Sequence, residues 1–459
     1  MATLTLARWA VALEPTSLPP SVLKAAQRSL YNYIGCAIGG SNHPTVTKAL
    51  SALSLFFGPP TSTLLGHSQP TSKPDPQPTK TDAQHAALLN GIASHVHDYD
   101  DTHLATIIHP TGPVASALLA YAELHPTPIS GLDLLTALTA GIEAACKLGL
   151  ALWPTHYDVG WHITSTTGSV GAAVAVAKLM NLSVQATAHA IGLAATQATG
   201  LREMFGSDTK SFHPGRAAQN GLLAAVLAQR GFTSSTAALE ARRGWGNVLV
   251  CGSTPRLEEF VGQLGVVWET ERNAFKPFPC GIVCHPGMDG GIQLHFELAQ
   301  KALKVEDVEK VELRVHPLVL ELTGKKTPRD GLEAKFSVFH GVAVALLYGK
   351  AGPAEYADAV VQDPSVISLR NRISATADES LGADESYEVV VLKDGRRLEN
   401  HVRHAVGSLE VPMSDEQLRG KFVDQVGPVL GVEGARRASE VAWGVGEVED
   451  VRGWVGRLS

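Results

Sequence analysis

The amino-acid sequence predicts a mainly α fold, with a large all-helical domain and a smaller α+β domain. From residue 81 to about residue 243, apolar residues recur at three- and four-residue steps, as they do on the buried faces of helices. Beyond residue 265 apolar and polar residues alternate instead, which is typical of half-buried strands. We therefore place the helical domain at residues 1–265, completed by 406–459, and the α+β domain at residues 266–405.

The N-terminal part of the chain predicts two helices and a loop. LARWAVAL and SVLKAAQRSLYNYIGCAIGG are apolar at helical spacing, and the second stretch stops at Gly39-Gly40. Residues 58–81 are rich in Pro, Ser and Thr, which predicts a long surface loop with one short strand at STLLG. TDAQHAALLNGIASH then predicts a helix that leads into the most polar stretch of the chain.

The remaining elements follow from the same patterns. Further helices are predicted at residues 114–124, 131–149, 166–180, 184–198, 214–230, 235–242, 286–303 and 332–348. In the α+β domain VVWET and VEKVELRVH predict strands, and YEVVVLKDGRRLENHVRH predicts a hairpin that turns at Asp394-Gly395. A capping box of Ser414 and Gln417 predicts the start of a C-terminal helix.

The composition indicates a well-buried globular protein and excludes several functions. Of the 459 residues 18% are charged, and 38 Lys and Arg against 45 Asp and Glu give a net charge of −7. No stretch concentrates Lys and Arg, so we expect no nucleic-acid partner. We find no apolar run of the ~18 residues that a membrane span needs. Five cysteines do not make a disulfide framework, so we expect a cytoplasmic protein, with a mitochondrial location left open.

Residues 95–113, HVHDYDDTHLATIIHPTGP, hold the densest group of imidazoles and carboxylates in the chain. The stretch follows a predicted helix and enters a loop marked by Pro and Gly, where reactive side chains are common. A metal site, an acid/base site and a solvated loop are the alternatives. Because successive helical residues are rotated by about 100°, His95 and His97 would not easily bind one ion.

Two helix starts carry polar residues that a helical core does not need. In YDVGWHITSTTGSVGAA, His162 precedes a run of Ser and Thr, which cap helices, at a position where free N–H groups attract anions. In FGSDTKSFHPGRAAQNG, Lys210 and His213 flank a helix start, with Arg216 one turn further. A lysine there opposes the helix dipole, so a carboxylate or phosphate pocket competes with a solvated charged loop as the explanation.

A further polar segment, NAFKPFPCGIVCHPGMDGG, places Lys276 among apolar residues that can desolvate its ammonium group. Cys280, Cys284 and His285 suggest zinc or a cysteine nucleophile, but a lone Cys pair is weak evidence for zinc. No GxGxxG fingerprint, Walker loop or GxSxG elbow occurs. The inventory fits an enzyme without cofactor or metal that binds a small polyanion and moves a proton next to a carboxylate.

Five motifs, in this order, resemble those of the MmgE/PrpD family. They are HDYDDTH with HPTGP, GWHITSTTG, DTKSFHPGRAAQNG, FKPFPCGIVCHPGMDG and RVHPLVLELTGKKTPRDGLEAKFSVFHG. The resemblance runs over nearly the whole chain. It implies a helical domain with an α+β lid, usually as a homodimer, and an active site in the cleft between them. It also implies an activity of the 2-methylcitrate dehydratase, cis-aconitate decarboxylase or iminodisuccinate epimerase type.

The resemblance also implies which residues form the site. The expected catalytic residues are Asp98, His109, His162, Lys210 and Lys276. The family adds Thr102 as a substrate-binding residue, and the residue patterns above add His213, Arg216, Cys280 and His285. We expect a histidine to transfer the proton, Asp98 to orient an imidazole, and the lysines to hold carboxylates. Gly281 stands where decarboxylases of the animal type carry a histidine. In this respect the KPFPCG segment resembles the general branch of the family more than the animal decarboxylases.

Several functions are compatible with this inventory. The leading hypothesis is a cofactor-independent lyase that dehydrates a 2-methylcitrate- or alkylcitrate-like substrate or decarboxylates a cis-aconitate-like one. The alternative is an epimerase of a dicarboxylate such as iminodisuccinate, which would use the same proton chemistry. A binding protein without catalysis and a zinc enzyme are the remaining hypotheses.

Overall fold

The computed structural model describes residues 1–69 and 77–458 and has the mainly α architecture that the sequence predicts. The first helices are α1 (Ala2–Ala12), α2 (Pro20–Gly40), α3 (Pro44–Leu53), α4 (Ala83–His95), α5 (Thr111–Ala122), α6 (Gly131–Leu152), α7 (Thr155–Asp158), α8 (Ile163–Leu179), α9 (Val184–Ala195), α10 (Asp208–Gln229), α11 (Trp245–Leu249) and α12 (Leu257–Val261). The later helices are α13 (His285–Gln300), α14 (Pro317–Thr323), α15 (Gly331–Ala334), α16 (Val338–Tyr348), α17 (Asp358–Val361), α18 (Pro364–Arg370), α19 (Asp415–Trp443) and α20 (Val451–Val455). The strands are β1 (Ser62–Gln69), β2 (Gln77–Thr81), β3 (Thr102–His103), β4 (Asn273–Ala274), β5 (Val308–Val315), β6 (Ile373–Ala377), β7 (Ser386–Leu392) and β8 (Arg397–Val402).

Helices α4, α5, α6, α8 and α10 pack around one apolar core, and small residues set how closely they approach. At the crossing of α4 and α10, a Cβ atom added to Gly215 would lie 2.3 Å from the carbonyl oxygen of Leu88. One added to Gly91 would lie 2.5 Å from the Cα of Gly215. Only glycine permits this approach, which brings the start of α10 against the C-terminal end of α4.

The α+β domain has its own apolar core under a four-stranded sheet of order β6-β5-β7-β8. Strands β5 and β6 are parallel, and the other two pairs are antiparallel. Helices α13 and α16 pack on each other, and α13 contacts β7 and β8. Val308, Val311, Leu313 and Val315 of β5 are buried, and β7 and β8 form a hairpin, so the alternation and the Asp394-Gly395 turn were correct predictors here.

The C-terminal helix α19 returns to the helical core and packs along α2. Ser414 and Gln417 form the expected capping box at its start. Phe422 stacks on Tyr31 of α2, with ring centroids 4.6 Å apart. The helix kinks at Gly431, whose φ of 71° lies outside the helical region. This packing carries side chains of α19 to the turn that follows α4, as described below.

The structure corrects three predicted elements near the domain junction and the surface. Residues 235–242 form turns instead of a helix, since Leu239 donates its N–H to the Thr3 hydroxyl and Trp245 donates to Ala238 O. VVWET is a turn because the N–H groups of Val266 and Val267 both donate to Gln263 O. At 58–81, where a loop with one short strand was expected, β1 confirms the strand at STLLG and pairs antiparallel with a second strand, β2, that was not predicted; residues 70–76 lie outside the described residues.

Two helical boundaries and one length also differ from expectation. Helix α10 begins at Asp208 and continues through Pro214, and the helix expected at 332–348 is divided where Ser337 caps α16. Helix α6 has 22 residues and is long and apolar enough on average to cross a membrane, although Asp133, Glu143 and Lys147 interrupt its apolar run. However, 94% of its most apolar window is buried inside the protein, as in the core helix of a globular domain.

Candidate active site

A cavity of about 40 Å³ lies where the helical domain meets the α+β domain. The five residues predicted to be catalytic all line it, namely Asp98, His109, His162, Lys210 and Lys276. Its apolar wall includes Ile107, Tyr157, Phe205, Ile282, Leu322 and Phe336. The structure therefore brings together side chains that are up to 178 residues apart in the chain.

Short elements hold each of these side chains in place. Asp98 lies in the turn after α4, His162 is the N-cap residue of α8, and Lys210 lies in the first turn of α10. Strand β3 pairs with β4 antiparallel, so that Thr102 faces Ala274. This two-residue ladder fixes the start of the segment that carries Lys276, two residues further on, beside the turn after α4.

Asp98 is the centre of charge in the cavity. Its Oδ1 atom lies 2.6 Å from Lys276 Nζ and 3.2 Å from Lys210 Nζ. Burial alone would raise the pKa of this carboxyl, but the two ammonium groups hold it well below its usual range. The residue adopts a left-handed conformation with φ of 51°, which Asp tolerates better than most residues. The carboxylate is therefore ionised at neutral pH.

The two lysines differ in how their charge is held. Burial lowers the pKa of Lys276, but the Asp98 and Asp100 carboxylates outweigh burial and leave the pKa above its usual value. For Lys210 burial prevails over the attraction of Asp98, and the nearby Lys276 charge lowers the pKa further. Lys276 therefore carries a fixed positive charge, and Lys210 is the lysine that releases its proton more easily.

His109 is fixed in one tautomer by its neighbours. Its Nδ1 atom lies 2.8 Å from the carbonyl oxygen of Asp101 and 3.2 Å from Thr102 Oγ1. Because the carbonyl can only accept, Nδ1 carries the hydrogen and Nε2 has the lone pair. Burial lowers the pKa of His109 to about 3, although the charge of Asp100 acts in the opposite direction. This imidazole is therefore a neutral base.

A hydrogen-bonded pair, His95 and Asp100, lies beside His109. His95 Nδ1 donates to Asp100 Oδ2 at 2.7 Å, and the rings of His95 and His109 meet edge to face with centroids 4.8 Å apart. Burial would raise the pKa of Asp100, but the two imidazoles lower it. His95 Nε2 is buried and has no hydrogen-bond partner among the described residues. Asp100 thus orients the His95 imidazole and lies 3.5 Å from His109 Nδ1, whereas the sequence predicted that Asp98 would orient an imidazole.

The same three residues offer ligand atoms within 4.8 Å of one another, close enough to hold a metal ion. One feature opposes this use of the cluster, because Lys276 places a positive charge near Asp100. His95 Nδ1 and Asp100 Oδ2 bind each other, whereas His95 Nε2 and Asp100 Oδ1 have no hydrogen-bond partner among the described residues. The expectation of no metal in the site stays a prediction.

His162 and His213 form an imidazole pair, with their Nδ1 atoms 2.9 Å apart. One ring must donate and the other accept, so the two tautomers are linked. Burial and then the neighbouring His213 hold the pKa of His162 well below its usual value. Burial lowers the pKa of His213 to about 4, with His95 and Lys210 adding to the effect. Both rings are therefore neutral at neutral pH.

The other substrate-binding candidates lie at different distances from the cavity. Thr102 is buried against His109. Arg216 does not line the cavity, and its guanidinium donates to Gln219 Oε1 at 2.6 Å. Cys280 is buried with its Sγ 3.3 Å from Met288 Sδ, and His285 packs edge-on against Phe278. The structure therefore brings Thr102 and His213 to the acid/base groups, whereas Arg216, Cys280 and His285 do not line the cavity.

Sequence reasoning missed the aromatic wall of the cavity. Phe205 and Phe336 stack with centroids 5.5 Å apart, and Lys210 Nζ lies 5.6 Å and 5.4 Å from their ring centroids. Phe205 and Phe336 lie within two of the polar stretches described above, FGSDTKSFHPGRAAQNG and RVHPLVLELTGKKTPRDGLEAKFSVFHG, but an aromatic residue within a charged motif carries no signal of its own. Beyond them lies a cavity of about 670 Å³, whose wall also includes Leu322 and is crossed by an Arg202–Glu321 ion pair of 3.0 Å.

Comparison with known proteins identifies the family. The model of the MmgE/PrpD N-terminal domain matches residues 4–258, and that of the MmgE/PrpD C-terminal domain matches residues 278–445. A cis-aconitate decarboxylase-like protein of Aspergillus oryzae is 26% identical, with 95% of this chain and 92% of that protein covered. The cis-aconitate decarboxylase of Homo sapiens is 27% identical, with 94% and 89% covered. The 2-methylcitrate dehydratase of Cupriavidus necator is 24% identical, with 78% and 74% covered. The chain belongs to the MmgE/PrpD family.

Proposed function

We propose that this protein is a lyase that acts on a small tricarboxylate by proton transfer next to a carboxylate. One observation carries the proposal. The buried ammonium groups of Lys210 and Lys276 both contact the Asp98 carboxylate, beside the neutral base His109. The relatives support it, because those that cover most of this chain are named as cis-aconitate decarboxylases, and others as 2-methylcitrate dehydratases.

Decarboxylation of a cis-aconitate-like substrate is the first candidate reaction. The bond to the leaving carboxyl group breaks, carbon dioxide departs, and the electron pair is delocalised toward a remaining carboxylate. That carboxylate gains negative charge, which the ammonium groups of Lys210 and Lys276 stabilise in a site shielded from water. A proton from an imidazolium then ends on carbon. The reaction needs cations for the carboxylates and one acid, all of which line the cavity.

The acid is formed when substrate binds. Burial keeps the pKa of His109 at about 3, and that of His162 well below its usual value. A tricarboxylate brings up to three negative charges to these rings, and nearby negative charge favours the protonated imidazole. The substrate therefore raises the pKa values of the groups that act on it, and His109 Nε2 is the atom from which the proton leaves.

Access to the cavity requires movement of its wall. Its volume of about 40 Å³ is far below the roughly 300–1,000 Å³ of ordinary ligand pockets. The adjacent cavity of about 670 Å³ shares Phe205, Leu322 and Phe336 with it. We expect a tricarboxylate to enter from that side while these three side chains move apart.

Dehydration of a 2-methylcitrate-like substrate is the second candidate, and Gly281 favours it. This residue lines the cavity where, by resemblance, animal decarboxylases carry a histidine, and even a Cβ atom there would lie 2.8 Å from Thr323 Cγ2. In this reaction His109 would remove the proton next to a carboxylate, and a hydroxyl group would leave as water. The cations would again stabilise the charge that develops on the carboxylate.

The test is turnover of a substrate panel in D₂O, without added metal, read by mass spectrometry. The panel contains cis-aconitate, 2-methylcitrate and iminodisuccinate. Loss of carbon dioxide with uptake of one solvent deuterium identifies the decarboxylase, and loss of water identifies the dehydratase. Deuterium exchange into the dicarboxylate without loss of either would make the protein an epimerase. A panel that remains unchanged in every arm would contradict the proposal.

A further inference from the structure

The turn after α4, residues 97–99, is held by ammonium groups from three distant parts of the chain. The carbonyl oxygen of His97 accepts a hydrogen bond from Lys335 Nζ at 2.9 Å. That of Asp98 accepts one from Lys276 Nζ at 3.2 Å, and that of Tyr99 accepts one from Lys421 Nζ at 2.7 Å. Three consecutive carbonyl groups thus each have an ammonium donor, and the middle carbonyl belongs to Asp98.

The position of this turn explains why cations gather there. Helix α4 ends at His95, so residues 97–99 lie just beyond its C-terminus. That end is the negative end of the helix dipole, which attracts positive charge. Asp98 leaves the helical path with a positive φ of 51°, an unfavourable conformation that persists only where neighbours enforce it.

Burial of the Lys335 and Lys421 ammonium groups is energetically unfavourable. Only 4% of Lys335 and 5% of Lys421 is exposed. Burial lowers the pKa of each to about 8, and nearby acidic groups offset the effect only in part. Their ammonium groups are thus less stable here than in water, and a neutral donor would cost less. Stability alone does not account for two buried cations at one turn.

Both lysines also connect the turn to other segments of the site. Lys335 Nζ donates to Pro279 O at 3.2 Å, in the segment that carries Lys276. Tyr99 reaches the same segment, where its hydroxyl donates to Pro277 O at 2.9 Å. Lys421 Nζ donates to Asn32 Oδ1 of α2 at 2.7 Å. The turn is therefore fixed on one side to the α+β domain and on the other to the helical core.

We propose that Lys335 and Lys421 are positioning residues, which hold the turn in the conformation that aims the Asp98 carboxylate at Lys210 and Lys276. Neither lysine lines the cavity, so each acts through the turn and not on the substrate. The kinetic consequence rests on the proposed function. The conformation of the turn can be measured without any substrate.

The test compares Lys335→Met and Lys421→Met with a matched control, Lys178→Met. Lys178 is partly buried and its Nζ also donates to a backbone carbonyl, that of Val11 at 3.0 Å, but it does not line the cavity. We expect kcat to fall about 100-fold in each test variant with little change in KM, because a small misplacement of a catalytic group costs that much. The control should keep the wild-type kcat. Arginine at either test position keeps a cation and should restore part of kcat.

Crystal structures of the same variants give the second readout. We expect residues 97–99 to leave the wild-type conformation and Asp98 to lose its contact with Lys276. Should a methionine variant not fold, the glutamine variant replaces it, with an uncharged side chain one atom shorter than that of lysine. Its kinetics and its crystal structure are then measured instead. Wild-type kcat together with an unmoved turn would overturn the inference. If the wild-type protein turns over no tricarboxylate, the proposed function fails, and the conformation of the turn alone decides the inference.

Discussion

Replacing Lys276 by methionine removes the shorter of the two ion pairs that hold the Asp98 carboxylate. Lys276 is 1% and Asp98 4% exposed in the side chain, so solvent screens their 2.6 Å contact very little. Breaking a buried pair from one side costs about 3–5 kcal/mol of unfolding free energy, and the remaining Lys210 should keep the loss near the lower value. Removing a preorganised cation should lower kcat about 100- to 1,000-fold.

Lys147→Met is the matched control for this experiment. Lys147 is fully buried and forms an ion pair of the same 2.6 Å length with Glu269, which keeps His103 as a second partner. It does not line the cavity. Urea unfolding should show similar losses of stability in both variants, while steady-state kinetics at a temperature where both are folded should show lost turnover only for Lys276→Met. Equal kcat values for the two variants would refute the assignment of Lys276.

Three further predictions test packing, protonation and metal dependence. Gly215→Ala should lower the unfolding free energy by about 1–3 kcal/mol in urea, since α4 and α10 must separate; unchanged stability would contradict the close crossing. Burial and then the charge of Asp100 raise the pKa of Asp101 from 3.8 to about 6, so the folded state binds the extra proton between these values. Wild-type stability should therefore fall relative to Asp101→Asn as pH rises from 4 to 7, by up to about 3 kcal/mol in thermal or urea unfolding, and a constant difference would count against this shift. Dialysis against a chelator should leave kcat unchanged, whereas activity that is lost and then restored by zinc would assign the cluster of His95, Asp100 and His109 to a metal.

Local patterns predicted what depends on local chemistry. The β7–β8 hairpin follows from an Asp-Gly turn between alternating strands, and α19 follows from a capping box. Lys210 was conspicuous because a cation at a helix start opposes the helix dipole, and Lys276 because apolar residues surround it in the sequence. The family resemblance placed both lysines in one site with Asp98, but their ion pairs with its carboxylate are visible only in the structure.

The missed features depend on contacts between distant segments. Lys421 lies on a helix with many charged residues, and only the packing of α19 against α2 buries it against the turn after α4. Lys335 likewise follows a short helix in the α+β domain, and its target carbonyl lies 238 residues away. Residues 235–242 have helical composition but bond to Thr3 and to the next turn instead. No spacing rule within a window of about 18 residues detects such contacts.

The measurement that tests the account most directly is a crystal structure with tricarballylate, a saturated tricarboxylate, bound to the protein. The account predicts one ligand carboxylate within about 3 Å of the Nζ atoms of both Lys210 and Lys276, and a carbon next to a carboxylate facing His109 Nε2. It also predicts that Phe205 and Phe336 have moved apart. A ligand that occupies a surface cavity while this site stays empty and closed would contradict the account.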